Sequence, residues 1–303
     1  MRGRMLGPMK ARIERLLFNV GLHMVEPHLP ARTDAKTSAS AKAAMVGIML
    51  ELQARARGSE HTLPRLCDSG FRVFSQFEED GYLLYLAAVL ELDCKIFLDI
   101  GAADGINSNC ANLALNLGWH GLFIDGDPSN VARGRSFYAK HPDTSLYPPL
   151  FKEAFVTAEN INGLVTEAGF SGHIGICSID IDGNDCWVWK ALEVVSPAVI
   201  IIETSTKFGM RNIAVPYDPD YRYPGRHPDY RGASPVAMHK LGKQKGYRLV
   251  GANRFGFNMI FVRNDVYPER VPEVSLESLL QHPRYAERLK LLEPIRDWEY
   301  VEL

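Results

Sequence analysis

The sequence predicts an α/β protein: a doubly wound, mostly parallel seven-stranded sheet with a helical N-terminal extension. Three observations carry this. Seven short apolar runs are interleaved with segments of helical spacing, the pattern of a parallel sheet covered on both faces. The first two runs are joined by a glycine-bearing turn and one helix, the crossover that neighbouring parallel strands require. The last two, Tyr247–Val250 and Met259–Val262, enclose Asn253–Asn258 and so close the sheet as an antiparallel hairpin.

Composition sets the limits. The chain has 303 residues, enough for one large α/β domain with appendages. Hydrophobic residues make up 46% and charged residues 23%, which indicates a soluble globular chain and excludes a disordered one. A net charge of −2 argues against general nucleic-acid binding. The charge is uneven: residues 1–66 hold 11 Lys/Arg and 5 Asp/Glu, the remainder 23 and 31. Five cysteines without a C-x-x-C pair read as reduced, buried thiols of a cytoplasmic protein. No apolar run approaches a membrane span, and the basic N-terminus lacks a small-residue cleavage site, so no signal peptide is expected.

Residues 9–25 show helical spacing, with Ile13, Leu16, Leu17 and Val20 on one face among Lys10, Arg12 and Arg15. Pro27 and Pro30 end it. A second helix is expected over 41–56, carrying Met45, Ile48, Met49 and Leu52. Residues 1–66 thus form a basic helical extension. It is expected to pack on its own domain or a second copy; the alternative is a peripheral contact with the inner membrane surface. Ser75–Gly81 then opens a helix with Leu83, Leu86 and Leu90 on its buried stripe, and Ser75 with Glu78 has the spacing of a capping box. The box does not account for Gln76 or Asp80, which stand as candidate ligand groups.

The stretch Lys95–Asp127 organises the rest. Ile96, Phe97 and Leu98 form a strand, and Asp99-Ile100-Gly101-Ala102-Ala103-Asp104-Gly105 turns the chain. Small side chains there let a ligand lie close to the backbone. Asn107 or Ser108 is the expected cap of the next helix, which Gly118 stops. Leu122, Phe123 and Ile124 make the second strand, and Asp125 follows it at the offset where an acid grips a ribose hydroxyl. A dinucleotide fingerprint wants glycine where Ala103 stands. Asp99 at the strand end suits a positively charged ligand better than phosphates.

Pro128 and Ser129 start a helix through Tyr138, and Lys152–Thr157 reads as the third strand, with Glu159 and Asn160 as caps of helix 161–168. In Ile174–Asp185, Asp180 and Asp182 alternate with Ile179 and Ile181, so both acids share a face at the carboxyl end of strand four, where open parallel sheets bind ligands. Two carboxylates on one face need a compensating cation, proton or donor. Asn184 or Asp185 is the expected cap of the helix carrying the core residues Trp187 and Trp189. Ala198–Glu203 is the fifth strand and returns Glu203 to the same edge. Residues 204–232 show no periodicity and are rich in Tyr and Arg, the composition of a lid or acceptor-binding loop. Its His227 is a candidate base. A helix over Ser234–Lys245 precedes the closing hairpin, and 271–303 reads as a C-terminal helical segment with Leu276, Leu279 and Leu280 packing.

The 95–127 stretch resembles motif I of class I S-adenosylmethionine-dependent methyltransferases. Over residues 70–265 the ordered set FLDIGAADG, IDGDPSN, SIDIDGND, VIIIE and GYRLVGANRFGFNMIFVR resembles the FkbM-type branch of that family. Where the branch commonly shows E-P-N-P and D-x-E-G-x-E, this chain has Asp125-Gly126-Asp127-Pro128 and Asp180-Ile181-Asp182-Gly183-Asn184-Asp185. The resemblance implies a Rossmann-like methyltransferase fold over 67–270 and O-methylation of a small-molecule or glycan hydroxyl. It implies that Gln76, Asp80, Asp99, Gly101, Ala102 and Gly105 surround the methionine end of S-adenosylmethionine and that Asp125 holds its ribose, with Asp180 bordering the cofactor. His227, Asp180 or Asp182 would accept the hydroxyl proton. Asp180, Asp182 and Glu203 offer hard oxygen ligands to Mg²⁺ as a metal-assisted variant. The competing reading is a non-catalytic module that keeps the fold for binding or assembly; a nicotinamide reductase is disfavoured by Ala103.

Overall fold

The computed structural model describes residues 37–58 and 62–303. Its strands are β1 (Ile96–Ile100), β2 (His120–Asp125), β3 (Leu150–Glu153), β4 (Gly172–Ile179), β5 (Val195–Glu203), β6 (Tyr247–Ala252) and β7 (Asn258–Arg263). They form one sheet in the order β3-β2-β1-β4-β5-β7-β6. The first five run parallel, and β7 lies antiparallel between β5 and β6. The predicted class is therefore the observed one. The expected helix at 9–25 lies outside the described residues.

Alternation along the strands builds two apolar layers. Phe97, Phe123, Ile176 and Val199 face α2 (Glu79–Val89), α3 (Ala111–Leu117) and α4 (Pro128–Lys140). Leu98, Leu122, Cys177 and Ile200 face α5 (Ile161–Glu167), α6 (Asp185–Ala191) and α7 (Pro235–Gln244). Helix α2 is buried on every side, because its sequence EDGYLLYLAAV has no polar face beyond the first turn. Its outer side is covered by α1 (Ala39–Arg57), through Met45 and Leu52. Burying each of those side chains contributes about 1.5–3 kcal/mol. The C-terminal segment forms α8 (Leu276–Leu279), α9 (Arg284–Leu289) and a 3₁₀ stretch Lys290–Ile295. Its Leu292 and Ile295 pack on Phe208 and Ile213 of the 204–232 insertion. Among the described residues, no helix is long and apolar enough to cross a membrane.

Several local expectations are corrected. The third strand is not 152–157: β2 ends at Asp125, which pairs with Glu153, so later residues have no ladder to join. For the same reason β4 stops at Ile179 rather than running through Asp182. The Asp180 N–H donates to the carbonyl of Ile100 at 2.9 Å, where β1 ends, and Asp182 adopts φ +60°. The Ser75/Glu78 capping box does not form; Ser75 Oγ donates to Asp80 instead, and Glu78 occupies the N-cap without a side-chain bond. Neither Asn107 nor Ser108 caps α3, which begins after Cys110. The Asn160 side chain binds the N–H of Thr157 instead of capping, and Asn184 donates to the Asp218 carbonyl. All five cysteines are free, but Cys67 is exposed and Cys94 partly so.

Gly101 is the tightest point of the frame. Its φ is +84°, and a Cβ there would lie 1.7 Å from the carbonyl oxygen of Asp180. Only glycine lets the ends of β1 and β4 approach this closely. Gly101→Ala is expected to cost about 3 kcal/mol or more in urea unfolding, from backbone strain plus the clash. Gly163→Ala, with nothing within 4 Å of its Cβ and a helical setting in α5, is expected to stabilise by about 0.5–1 kcal/mol in the same assay.

Candidate active site

Strand order reverses direction at β1 and β4, so the crevice where ligands enter an open α/β sheet lies at the carboxyl ends of those strands. On its β2 side, Asp125 ties two turns together. One carboxylate oxygen accepts from the Ala103 N–H at 2.8 Å; the other accepts from Asp127 N at 2.9 Å and Asn130 Nδ2 at 3.2 Å. A carboxylate offers about four lone-pair positions, so this half-exposed group retains capacity for a further donor. Beside it, Phe155 is 40% exposed and carries Arg222 of the insertion over its ring at 3.1 Å.

Asp99 does not face the crevice. It is 3% exposed, and its carboxylate accepts from Ser108 Oγ at 2.7 Å and Cys110 N at 3.2 Å. Burial raises its pKa, which those donors partly offset. The expected direct contact with a cationic ligand is thus replaced by a staple across the turn that leads into α3. Ala102 is buried at 2% exposure. Gly105 has φ +68° and packs on the Phe151 ring, and Tyr138 donates to its carbonyl at 2.5 Å.

The 75–80 block reaches the same rim by a route the sequence did not disclose. Glu79 is fully buried, and its Oε1 accepts from Asn253 at 3.1 Å and Asn258 at 2.9 Å. Asn258 is in register with Glu203, so the start of α2 is clamped to the end of β5. Asp80 is 1% exposed, and its Oδ2 collects the N–H groups of Val73, Phe74 and Ser75 at 2.7–2.8 Å. Asp80 thus shapes the loop through Oδ2, its buried Oδ1 has no hydrogen-bond partner among the described residues, and Gln76 is exposed. The missed signal was a charged Glu79 on a helix with no polar face, matched by two asparagines flanking the hairpin.

Past β4 and β5 the acids gather. Asp180, Asp182 and Glu203 each place a carboxylate oxygen within 4.8 Å of the others. The buried Arg231 guanidinium bonds Asp182 Oδ1 and lies 3.6 Å from Glu203 Oε1. Burial, with Glu203 and Asp182 adding repulsion, raises the Asp180 pKa well above the usual carboxylate range. Asp185, 1% exposed, shapes the loop by accepting from Ile181 N at 2.8 Å and Gly183 N at 2.9 Å; burial and Glu203 push its pKa up to about 7. Behind Arg231, Lys207 sits 3.5 Å from Asp229, and burial lowers the amine to about 8. His227 turns elsewhere: its Nδ1 accepts from Asp229 N at 3.1 Å, and its ring meets Trp298 edge-on at 6.2 Å. The structure brings the three acids together but leaves His227 on the C-terminal segment.

The fold is that of the Rossmann-like methyltransferases, on the evidence of its strand order and reversed β7. No family model matches the chain, and no curated protein matches it. Solved structures do resemble it. The N-terminal domain of EvdMO1, crystallised in the presence of SAH and D-fucose, is 14% identical over 71% of this chain and 96% of that one, with a TM-score of 0.40. Monomeric WbdD is 23% identical over 59% of this chain and 38% of its own, with a TM-score of 0.37. A putative O-methyltransferase from Klebsiella pneumoniae is 13% identical over 84% and 96%, also at 0.37. Likeness at this level adds nothing to what the strand order establishes. A hollow of about 630 Å³ bordered by His120, Tyr147 and His173 belongs to the amino ends of β2 and β4, away from the acids.

Asp185 gives the rim a pH signature. Its folded pKa stands above the ordinary 3.8, so the folded state holds a proton that the unfolded chain has released. The proton uptake is greater in the folded state, and this contribution to stability falls as pH rises from about 4 to about 7. Asp185→Asn is expected to make that decline in urea midpoint shallower, while losing about 1–3 kcal/mol at pH 4 because one loop N–H loses its acceptor.

Proposed function

We propose that this protein transfers a methyl group from S-adenosylmethionine to a hydroxyl of a sugar or glycoconjugate, in the manner of the FkbM-type branch. One observation carries the reading: an acid with spare acceptor capacity and a cluster of three carboxyl groups stand on the same carboxyl rim, either side of the strand reversal. The residues fit the cofactor. Asp125 has room for a ribose hydroxyl, Phe155 offers an aromatic face beside it, and the rim sets three carboxyl groups against one guanidinium, favouring a cationic ligand. The turn Gly101–Gly105 would border the methionine end, with Asp99 holding that turn from behind. Residues 67–270 form the transferring unit, 1–66 the extension and 271–303 a segment packed on it.

Bound there, S-adenosylmethionine would supply an electrophilic methyl group on a sulfonium. The chain's task is to align the acceptor oxygen in line with it and remove the hydroxyl proton. Asp180 is the base in this reading. It stands at the end of β4 with a carboxylate oxygen within 4.8 Å of those of Asp182 and Glu203. Asp182 and Glu203, held by Arg231, would orient neighbouring hydroxyls. Tyr217, Tyr221 and Tyr223 of the insertion border the acceptor side, and Tyr217 donates to Glu159 at 2.5 Å, joining the insertion to the end of the β3 loop.

Calorimetry with S-adenosylmethionine tests the cofactor; Asp125→Ala should weaken binding about tenfold or more, and absence of binding by the native protein would refute the reading. With a methyl-accepting glycan in hand, Asp180→Asn should lower kcat about 10²–10⁴-fold with little change in cofactor affinity, while His227→Ala leaves kcat within about twofold.

A further inference from the structure

We propose that Arg231 is a built-in counter-ion, seated where a divalent cation would otherwise lie among Asp180, Asp182 and Glu203, so that the native rim works without a metal and becomes a metal site when the guanidinium is removed. This rests on the geometry of the rim and not on methyl transfer, and it stands or falls separately from that reading.

Three hard oxygens within 4.8 Å of one another are spaced as the ligands of one ion. Ca²⁺ holds oxygens at about 2.3–2.6 Å, so opposite ligands stand about 5 Å apart; the tighter Mg²⁺ octahedron spans about 4.2 Å. The set is compact enough to share one such ion. Gathering three carboxyl groups in a partly buried corner also demands positive charge. Arg231 meets that demand. Its side chain is 8% exposed, reaches Asp182 with one nitrogen and Glu203 with another, and carries the Tyr223 ring 5.0 Å from its Cζ.

The guanidinium is not a surface arm that swings aside. Ser205 Oγ donates to the Arg231 carbonyl at 2.6 Å, and the Ser205 N–H donates to the Ala233 carbonyl at 2.8 Å, so the segment following β5 grips the backbone at Arg231 and just beyond it. Gly232 adopts φ +74°, and a Cβ there would lie 2.8 Å from Ser205 Oγ. Lys207, paired with Asp229, places a second buried cation behind the first. A metal entering the native rim would have to displace this buried guanidinium from Asp182 and Glu203. Arg231 is thus a positioning residue that orients Asp182 and Glu203.

Tyrosine-sensitised Tb³⁺ luminescence, with Ca²⁺ competition, tests this on the full chain, because Tyr223 lies within energy-transfer reach of the site. The native protein is expected to give no emission that Asp182→Asn removes. Arg231→Met should gain emission that Ca²⁺ competes away, with affinity about tenfold or more above native, and adding Asp182→Asn should abolish it. Native emission that is lost in Asp182→Asn would overturn the proposal, as would a folded Arg231→Met variant that gains no site. If Arg231→Met fails to fold, Arg231→Gln serves in its place, and its melting temperature should rise with Ca²⁺ while the native value stays fixed.

Discussion

The rim of this sheet is built by carboxylates that accept backbone N–H groups. Asp80 gathers the 73–75 loop, Asp99 the entry to α3, Asp125 the two turns after β1 and β2, and Asp185 the bend after β4. Each stands at or near a strand or helix end, where the last backbone donors have no ladder or helical partner. A charged acceptor satisfies them more strongly than a neutral one. The turns that form the crevice owe their shape to these four bonds sets, and the glycines follow from the shape. Gly101 is required because the Asp180 carbonyl is drawn against it.

Electrostatic accounting separates the rim into two kinds of acid. Asp80 and Asp99 are buried and accept from the N–H and O–H groups of adjoining loops. Asp125, Asp180, Asp182 and Glu203 keep part of their surface open to the crevice. The second group is the one with chemistry to offer. Arg231 balances part of its charge through Asp182 and Glu203.

Much of this was legible in the sequence. Apolar runs located six of the seven strands, because a strand buried on both faces leaves no alternation to misread; the short edge strand β3 was placed too late in the chain. The clustering of Asp180, Asp182 and Glu203 was legible too, since parallel strands deliver their carboxyl ends to one edge. The argument for it was wrong in detail: Asp182 reaches the cluster through a left-handed turn, not through strand alternation. What stayed hidden depends on partners distant in sequence. Nothing local tells Asp99 to turn toward Ser108, Glu79 toward Asn253 and Asn258, or His227 toward Trp298. Arg231 was visible only as one basic residue among several in an aperiodic loop.

The position of β7 carries a consequence for biosynthesis. Val199–Glu203, apolar up to its last residue, pairs on that side with residues of β7. During translation β5 emerges long before its neighbour, and its open side stays unpaired until Arg263 has left the ribosome. A nascent chain in that state exposes the kind of naked edge to which holdase chaperones bind and from which aggregates grow. The insertion between β5 and α7 lengthens that interval.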